Sequence, residues 1–335
     1  MLDVVSLWPI SIEYQIELGQ ENRLMIESRG LRLVSIVVFC CMVEHLAADD
    51  LSTVERIFAV GSSQHFYRHH TECSRGTLLQ WDDAAPLAGG PNLEEPLVTD
   101  RPDFTEASST VGLGVTQLEF GYTYTYDNNA GASTRSQSFG EPLLRHGIVD
   151  DWLELRVALF PVEQQTTVVG ATDSTSGTED LYVGFKIGLT PQQGILPEMA
   201  LIPQMNLPTG SSAFTSDLIE PGLNWIYGWE INDFISTAGS TQGNRRADAT
   251  TGQDYLEMAQ SWTFAYSCTE ELGAYTEWFA LIPNNADTDQ TQHYFNGGFT
   301  YLISSDVQFD IRAGVGLNDA ADDYFLGTGL SIRMR

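Results

Sequence analysis

The sequence predicts an all-β protein, an antiparallel transmembrane β-barrel of about twelve strands with a poorly ordered N-terminal segment. Three observations carry this expectation. Apolar and polar residues alternate with period two in segment after segment from Leu118 to the end of the chain. The polar set is small and glycine-rich, with single charges of both signs. The connections between segments alternate between short and long.

Period two marks a strand whose two faces meet different surroundings. In the first segment Leu118, Phe120, Tyr122, Tyr124 and Tyr126 alternate with Gln117, Glu119, Gly121, Thr123 and Thr125. Leu153–Leu159, Asp180–Leu189, Tyr255–Ser267, His293–Ile303, Val307–Val315 and Phe325–Arg333 repeat the device. Weaker strands are expected at Ser136–Leu144, Glu198–Leu207, Glu220–Trp229, Phe234–Ala238 and Glu271–Leu281. Segments of about nine to eleven residues suit a tilted crossing of the hydrocarbon layer. The apolar set alone also fits a soluble acidic β-sandwich acting as a binding module. The polar set argues for the barrel, because Gly, Ser, Tyr, Asn and paired charges suit a crowded interior. Tyr126, Trp152, Trp225, Trp229 and Tyr266 fall near strand ends, where an interfacial girdle is expected. His146–Asp151 reads as a short turn. Pro161–Glu179, Thr237–Asp254 and Asn284–Thr291 read as polar loops, and Asn318–Asp323 as a short acidic one.

Charge narrows the function. The 335 residues carry a net charge of −29, with Lys186 the only lysine. That excludes a partner held by its phosphate backbone, so no nucleic acid is expected. The partners expected instead are outer-membrane lipids and a small organic solute. No spacing of Cys, His or acidic residues calls for a cofactor or a metal. His65, His69 and His70 lack an acidic or cysteine companion at ligand spacing. Cys40 and Cys41 lie in an apolar run; whether Cys73 and Cys268 approach each other is not written in the sequence.

The N-terminal part divides in two. Arg29 and Arg32, the apolar run Leu33–Val43, and Ala47-Ala48 follow the basic–apolar–small order of a secretory signal. Residues 1–48 are therefore expected to be a leader, with Met1 or Met25 as the start, and the mature chain to begin near Asp49. Residues 49–98, with Pro86, Gly89, Gly90, Pro91 and Pro96, read as a periplasmic or linker segment; the barrel occupies 99–335.

The order of motifs resembles the outer-membrane family associated with the meta-pathway of phenol degradation. Thr99-Asp100-Arg101-Pro102-Asp103-Phe104 and Gln117-Leu118-Glu119-Phe120-Gly121-Tyr122 carry the resemblance. Leu144-Arg145-His146-Gly147, Leu153-Glu154-Leu155-Arg156, Asp180 with Gly184-Phe185-Lys186, Leu207-Pro208-Thr209-Gly210 and Phe325–Ser331 follow in order. The resemblance covers roughly residues 97–335. It implies an outer-membrane barrel in the bacterial cell envelope that moves small organic molecules, aromatic ones included. Barrels of this kind usually end on an aromatic residue, whereas this chain reads Ile332-Arg333-Met334-Arg335.

The inward-facing charges Glu119, Glu154, Arg156, Asp180, Lys186, Asp310 and Arg312 are the candidates for lining a channel, since wall charges set selectivity. They serve equally as mutually paired filling. Arg145 has no assigned face, because the phase of its strand is ambiguous around Pro142. Asp100-Arg101-Pro102-Asp103 is expected as a periplasmic lead-in, with Pro102 stopping premature pairing and Arg101 tied to a carboxylate at the rim. An outer-membrane hydrolase is the remaining class. His146 and His293 are its only histidines in the barrel, and no Gly-x-Ser-x-Gly occurs.

Overall fold

The computed structural model describes residues 76–81, 89–129, 131–168, 170–248 and 251–335. The expected leader, the histidines at 65, 69 and 70, and Cys40, Cys41 and Cys73 lie outside them. The described residues form one antiparallel sheet of 14 strands and contain no helix. The strands are β1 (Thr116–Asn129), β2 (Ala132–Gly147), β3 (Leu153–Ala158), β4 (Pro161–Val168), β5 (Ala171–Thr178), β6 (Leu181–Thr190) and β7 (Glu198–Leu207). They continue with β8 (Glu220–Glu230), β9 (Ile235–Ala247), β10 (Asp254–Ser267), β11 (Leu272–Asn284), β12 (Gln292–Ser304), β13 (Val307–Gly316) and β14 (Tyr324–Met334).

The sheet closes on itself. β1 pairs with β14 from Thr116↔Met334 to Tyr126↔Tyr324, and with β2 from Thr116↔His146 to Asn129↔Ala132. Closure leaves no wall edge to meet lipid, which cannot satisfy a bare backbone amide. β3 and β4 are two stretches of one crossing, and so are β5 and β6. β2 pairs with both β3 and β4, β3 pairs with β6, and β4 pairs with β5. The barrel wall therefore has 12 strands, as the periodicity predicts. Pairs β1/β2 and β4/β5 rise above the rest of the wall.

Two expected loops are strands. Pro161–Glu179 is mostly the hairpin β4–β5, and most of Thr237–Asp254 belongs to β9 and β10. Both carry Ser, Thr and Gln, which accept the pleated conformation without declaring a buried face. The hairpin's Thr172, Asp173, Ser174 and Thr175 are exposed, so no apolar set had to alternate there.

Side chains segregate as the alternation requires. Gln117, Glu119, Glu154, Lys186, Ser261, Glu277 and Asp310 point inward and are at most 1% exposed. Phe185, Trp225, Phe264, Phe295, Phe299, Phe309, Ile311 and Leu326 point outward and are 41–51% exposed. An apolar belt of that kind is costly in water and favoured in hydrocarbon. Trp225, Tyr227, Trp229 and Trp262 cluster on the outer face with ring centroids 4.9–6.2 Å apart.

Short turns at 148–152, 231–234, 268–271 and 305–306, with one longer connection at 191–197, share one rim with the start of β1 and the end of β14. Longer connections at 208–219, 285–291 and 317–323 occupy the other. The chain enters at the short-turn rim, where the Leu97 amide donates to the Ser305 carbonyl.

Candidate functional site

Residues 98–111 run inside the barrel, against the inner faces of its strands. The expected periplasmic lead-in is thus a lumenal segment, and its charges meet wall charges rather than the rim. The physical reason is charge balance. The lower wall projects Arg145, Arg156 and Lys186 into a space shielded from water, and anions must enter with them.

Asp100 is the centre of this arrangement. Lys186 Nζ donates to its Oδ1 at 2.6 Å, Arg145 Nε lies 3.2 Å from its Oδ2, and Arg156 Nη1 also donates to Oδ2. The Asp100 amide in turn donates to Glu119, at 3.1 and 3.2 Å from its two carboxylate oxygens. Arg145 binds Glu154 bidentately at 2.8 and 3.0 Å and reaches Glu119 at 3.0 Å. Arg156 also holds Glu106 of the segment, while Asn224 donates to the other oxygen of Glu106 at 2.9 Å. Burial pushes the Asp100 carboxyl up, but Arg145, Arg156 and Lys186 outweigh it and hold it well below the usual carboxylate range.

The wall also binds the segment's backbone. Arg145 donates to the Val98 and Ser109 carbonyls, both at 3.2 Å, and Lys186 to that of Ala107 at 2.8 Å. Glu154 accepts the Val111 amide at 2.9 Å. Glu277 accepts the Phe104 and Thr105 amides at 2.8 and 2.7 Å. These bonds supply partners for a loop that no sheet covers. Phe104 stacks on Phe279 of β11, centroids 4.6 Å apart, and Phe279 on Tyr294 of β12 at 4.7 Å.

A second set of charges fixes the next residues. Arg101 lies between Glu141 Oε2 at 2.7 Å and Asp310 Oδ2 at 3.3 Å, and donates to the Thr328 carbonyl at 3.1 Å. Gly121 and Gly329 make room for it, because a Cβ on either would run into its guanidinium. Arg312 donates to the Pro102 carbonyl at 2.8 Å and to Thr123 Oγ1 at 2.9 Å. Asp103 sits beside Glu277 instead of a cation; burial pushes its carboxyl up, and Glu277 adds to the rise.

Of the seven sequence candidates, Glu119, Glu154, Arg156, Lys186 and Asp310 are all engaged with the segment, and Arg312 holds it by a carbonyl. Asp180 does something different. It stands at the break between β5 and β6 and accepts the amides of Gly210 and Ser216 at 2.9 and 3.1 Å, fixing the long connection after β7. Arg145, Glu106, Glu141 and Glu277 were missed. Glu277 was within reach, since it alternates with outward Trp278 between inward Tyr275 and Phe279. Arg145 was not, because the irregular register opposite Gly121, at Gly140-Glu141-Pro142, resets the phase of β2.

The segment runs between two cavities. The larger, about 540 Å³, is lined by Phe104, Glu106, Phe160, Glu179, Tyr182, Phe214 and Arg246, among others. The smaller, about 450 Å³, is lined by Glu95, Val98, Ala107–Val111, Glu198, Glu230 and Arg333, among others. On β7 the inner face passes from Glu198 at the lower cavity, through fully buried Ala200 and Ile202, to Gln204 and Asn206 at the upper one.

A closed antiparallel wall with an apolar outer belt and a charged, occupied lumen defines an outer-membrane β-barrel. The chain belongs to the family described as "Putative MetA-pathway of phenol degradation", whose model matches residues 99–334. Its fold is similar to that of an outer membrane channel from Pseudomonas putida F1, at 13% identity and a TM-score of 0.53, covering 70% of this chain and 99% of that one. The NanC porin aligns at 10% identity and a TM-score of 0.40, covering 65% and 100%. The translocator domain of the autotransporter NalP from Neisseria meningitidis aligns at 11% and 0.45, covering 67% and 89%. No curated protein matches the chain.

Proposed function

We propose that the barrel is a channel for small organic solutes, with residues 98–111 as its constriction. The observation that carries this reading is the pair of cavities, one on each side of a single internal segment. They form the two ends of a path that the segment narrows. Membership of a family tied to phenol degradation, and the fold shared with an outer membrane channel, support the same reading. The wall charges that grip the segment act first as its latch, and shape the path through it.

A non-catalytic role is part of the proposal. His146 accompanies inward Arg145 on the opposite face of β2, and its Nδ1 lies 2.9 Å from Thr116 Oγ1. His293 faces away from inward Tyr294 and stacks on Trp278, centroids 5.9 Å apart. Neither lines a cavity, so neither is placed to attack a solute in transit.

Swelling of protein-loaded liposomes in arabinose and in phenyl glucoside tests the reading, because neither solute crosses lipid unaided. Swelling above protein-free liposomes is expected, and faster swelling with Asp100→Ala. Absence of swelling in both the wild type and Asp100→Ala would overturn it.

A further inference from the structure

The charges that line the two cavities are not balanced. The upper cavity carries Glu106, Glu179, Asp180 and Glu220 against Arg246 alone; the lower carries Glu95, Glu198 and Glu230 against Arg333 alone. Both arginines are already engaged. Arg246 lies 3.0 Å from Glu220 and 3.2 Å from Glu257, and Arg333 lies 2.7 Å from Asp306. The carboxylates of Glu95, Glu179 and Glu230 are different. All three residues are exposed, and their carboxylates make no hydrogen bond or ion pair with another described residue. Among the charged residues that line the two cavities, those left without a hydrogen-bonded or ion-paired partner are therefore all negative.

We infer that the channel selects by charge, passing small aromatic amines in their cationic form and rejecting aromatic carboxylates of the same size. The inference rests on the channel reading and names the solute class for it. Two physical arguments support the class. Carboxylates on both sides of a narrow place raise the local concentration of cations and exclude anions, as acidic rings do in cation channels. Phe104, Phe160, Tyr182 and Phe214 line the same cavity as Glu179, and aromatic rings receive both a ring and an ammonium. A volume of about 540 Å³ accommodates a single-ring solute. The latch between the cavities does not reverse this preference, because its three cations face Asp100, Glu106, Glu119 and Glu154.

The test uses the full chain in planar bilayers, with a salt gradient at low ionic strength, where unscreened charges act over a longer range. Tyramine and 4-hydroxybenzoate, which share a phenol ring and carry opposite charges, are then compared as current carriers. The wild type is expected to show a cation-side reversal potential and to carry tyramine but not 4-hydroxybenzoate. The triple variant Glu95→Gln, Glu179→Gln, Glu230→Gln is expected to conduct with its reversal potential moved towards that of an unselective pore. Conductance with an anion-side or neutral reversal potential in the wild type, or no shift in the variant, overturns the inference and leaves the channel reading standing. Failure of both the wild type and Asp100→Ala to conduct removes the channel reading, and the inference with it.

Discussion

β3 and β4 belong to one crossing of the wall, as do β5 and β6, yet the lower and upper stretches could hardly differ more. Below, Leu153, Leu155 and Val157 alternate with Glu154 and Arg156, opposite Val183, Phe185 and Ile187 alternating with Gly184 and Lys186. Above, Gln164, Gln165, Thr166 and Thr167 pair with Thr175, Ser174, Asp173 and Thr172, polar on both faces. The backbone is the same; the surroundings are not. Lipid outside and a charged segment inside impose two solvents on the lower stretch, and only two solvents produce alternation. The upper hairpin meets water on both sides and needs nothing but pleat-compatible residues.

The largest effect should come from unlatching the lower stretch. Asp100→Ala leaves Arg145, Arg156 and Lys186 buried against too few anions. Removing one partner of a buried ionic group typically costs about 3–5 kcal/mol. Reduced protection of the Phe104 and Thr105 amides in hydrogen exchange is the expected sign; unchanged protection would show that the remaining contacts hold the segment without Asp100. A somewhat smaller loss, about 2–4 kcal/mol, is expected for Ile311→Arg on the outer face of β13 if the site lies near the midplane. The temperature at which the folded band disappears from an unboiled gel would report it. Thr172→Arg in the hairpin sets the contrast: both of its faces are wet, so its effect should stay within about 0.5 kcal/mol. A loss like that of Ile311→Arg would mean that the hairpin enters the membrane.

The smallest effect concerns acid. The Asp100 carboxyl is depressed in the folded protein, so its contribution is complete above its ordinary value of 3.8 and is lost only as pH falls towards the lower folded value. Any change in segment-amide protection between neutral pH and about pH 4 should therefore come from Asp103, whose carboxyl is raised beside Glu277, and not from Asp100. Loss of protection near pH 6 would place control of the latch in another group.

How much of this was legible follows from the same contrast. The strands that separate lipid from lumen announced themselves, and so did most of the inward charges, because each lies between two apolar neighbours. The hairpin and the upper part of β9 did not, since water on both faces erases the pattern. The position of Asp100-Arg101-Pro102-Asp103 was also hidden. Its partners Arg145, Asp310 and Glu277 lie far away along the chain, up to 209 residues for Arg101 and Asp310, or on a strand of uncertain phase, and pairing across a closed lumen leaves no periodic trace.

The central claim is that residues 98–111 are latched inside the path and narrow it. Single-channel conductance of the wild type and of Asp100→Ala in the same bilayer tests it most directly. The account predicts small or rare openings in the wild type and larger, longer ones in the variant, with the folded band intact on an unboiled gel. Equal conductance in the two folded proteins would contradict it.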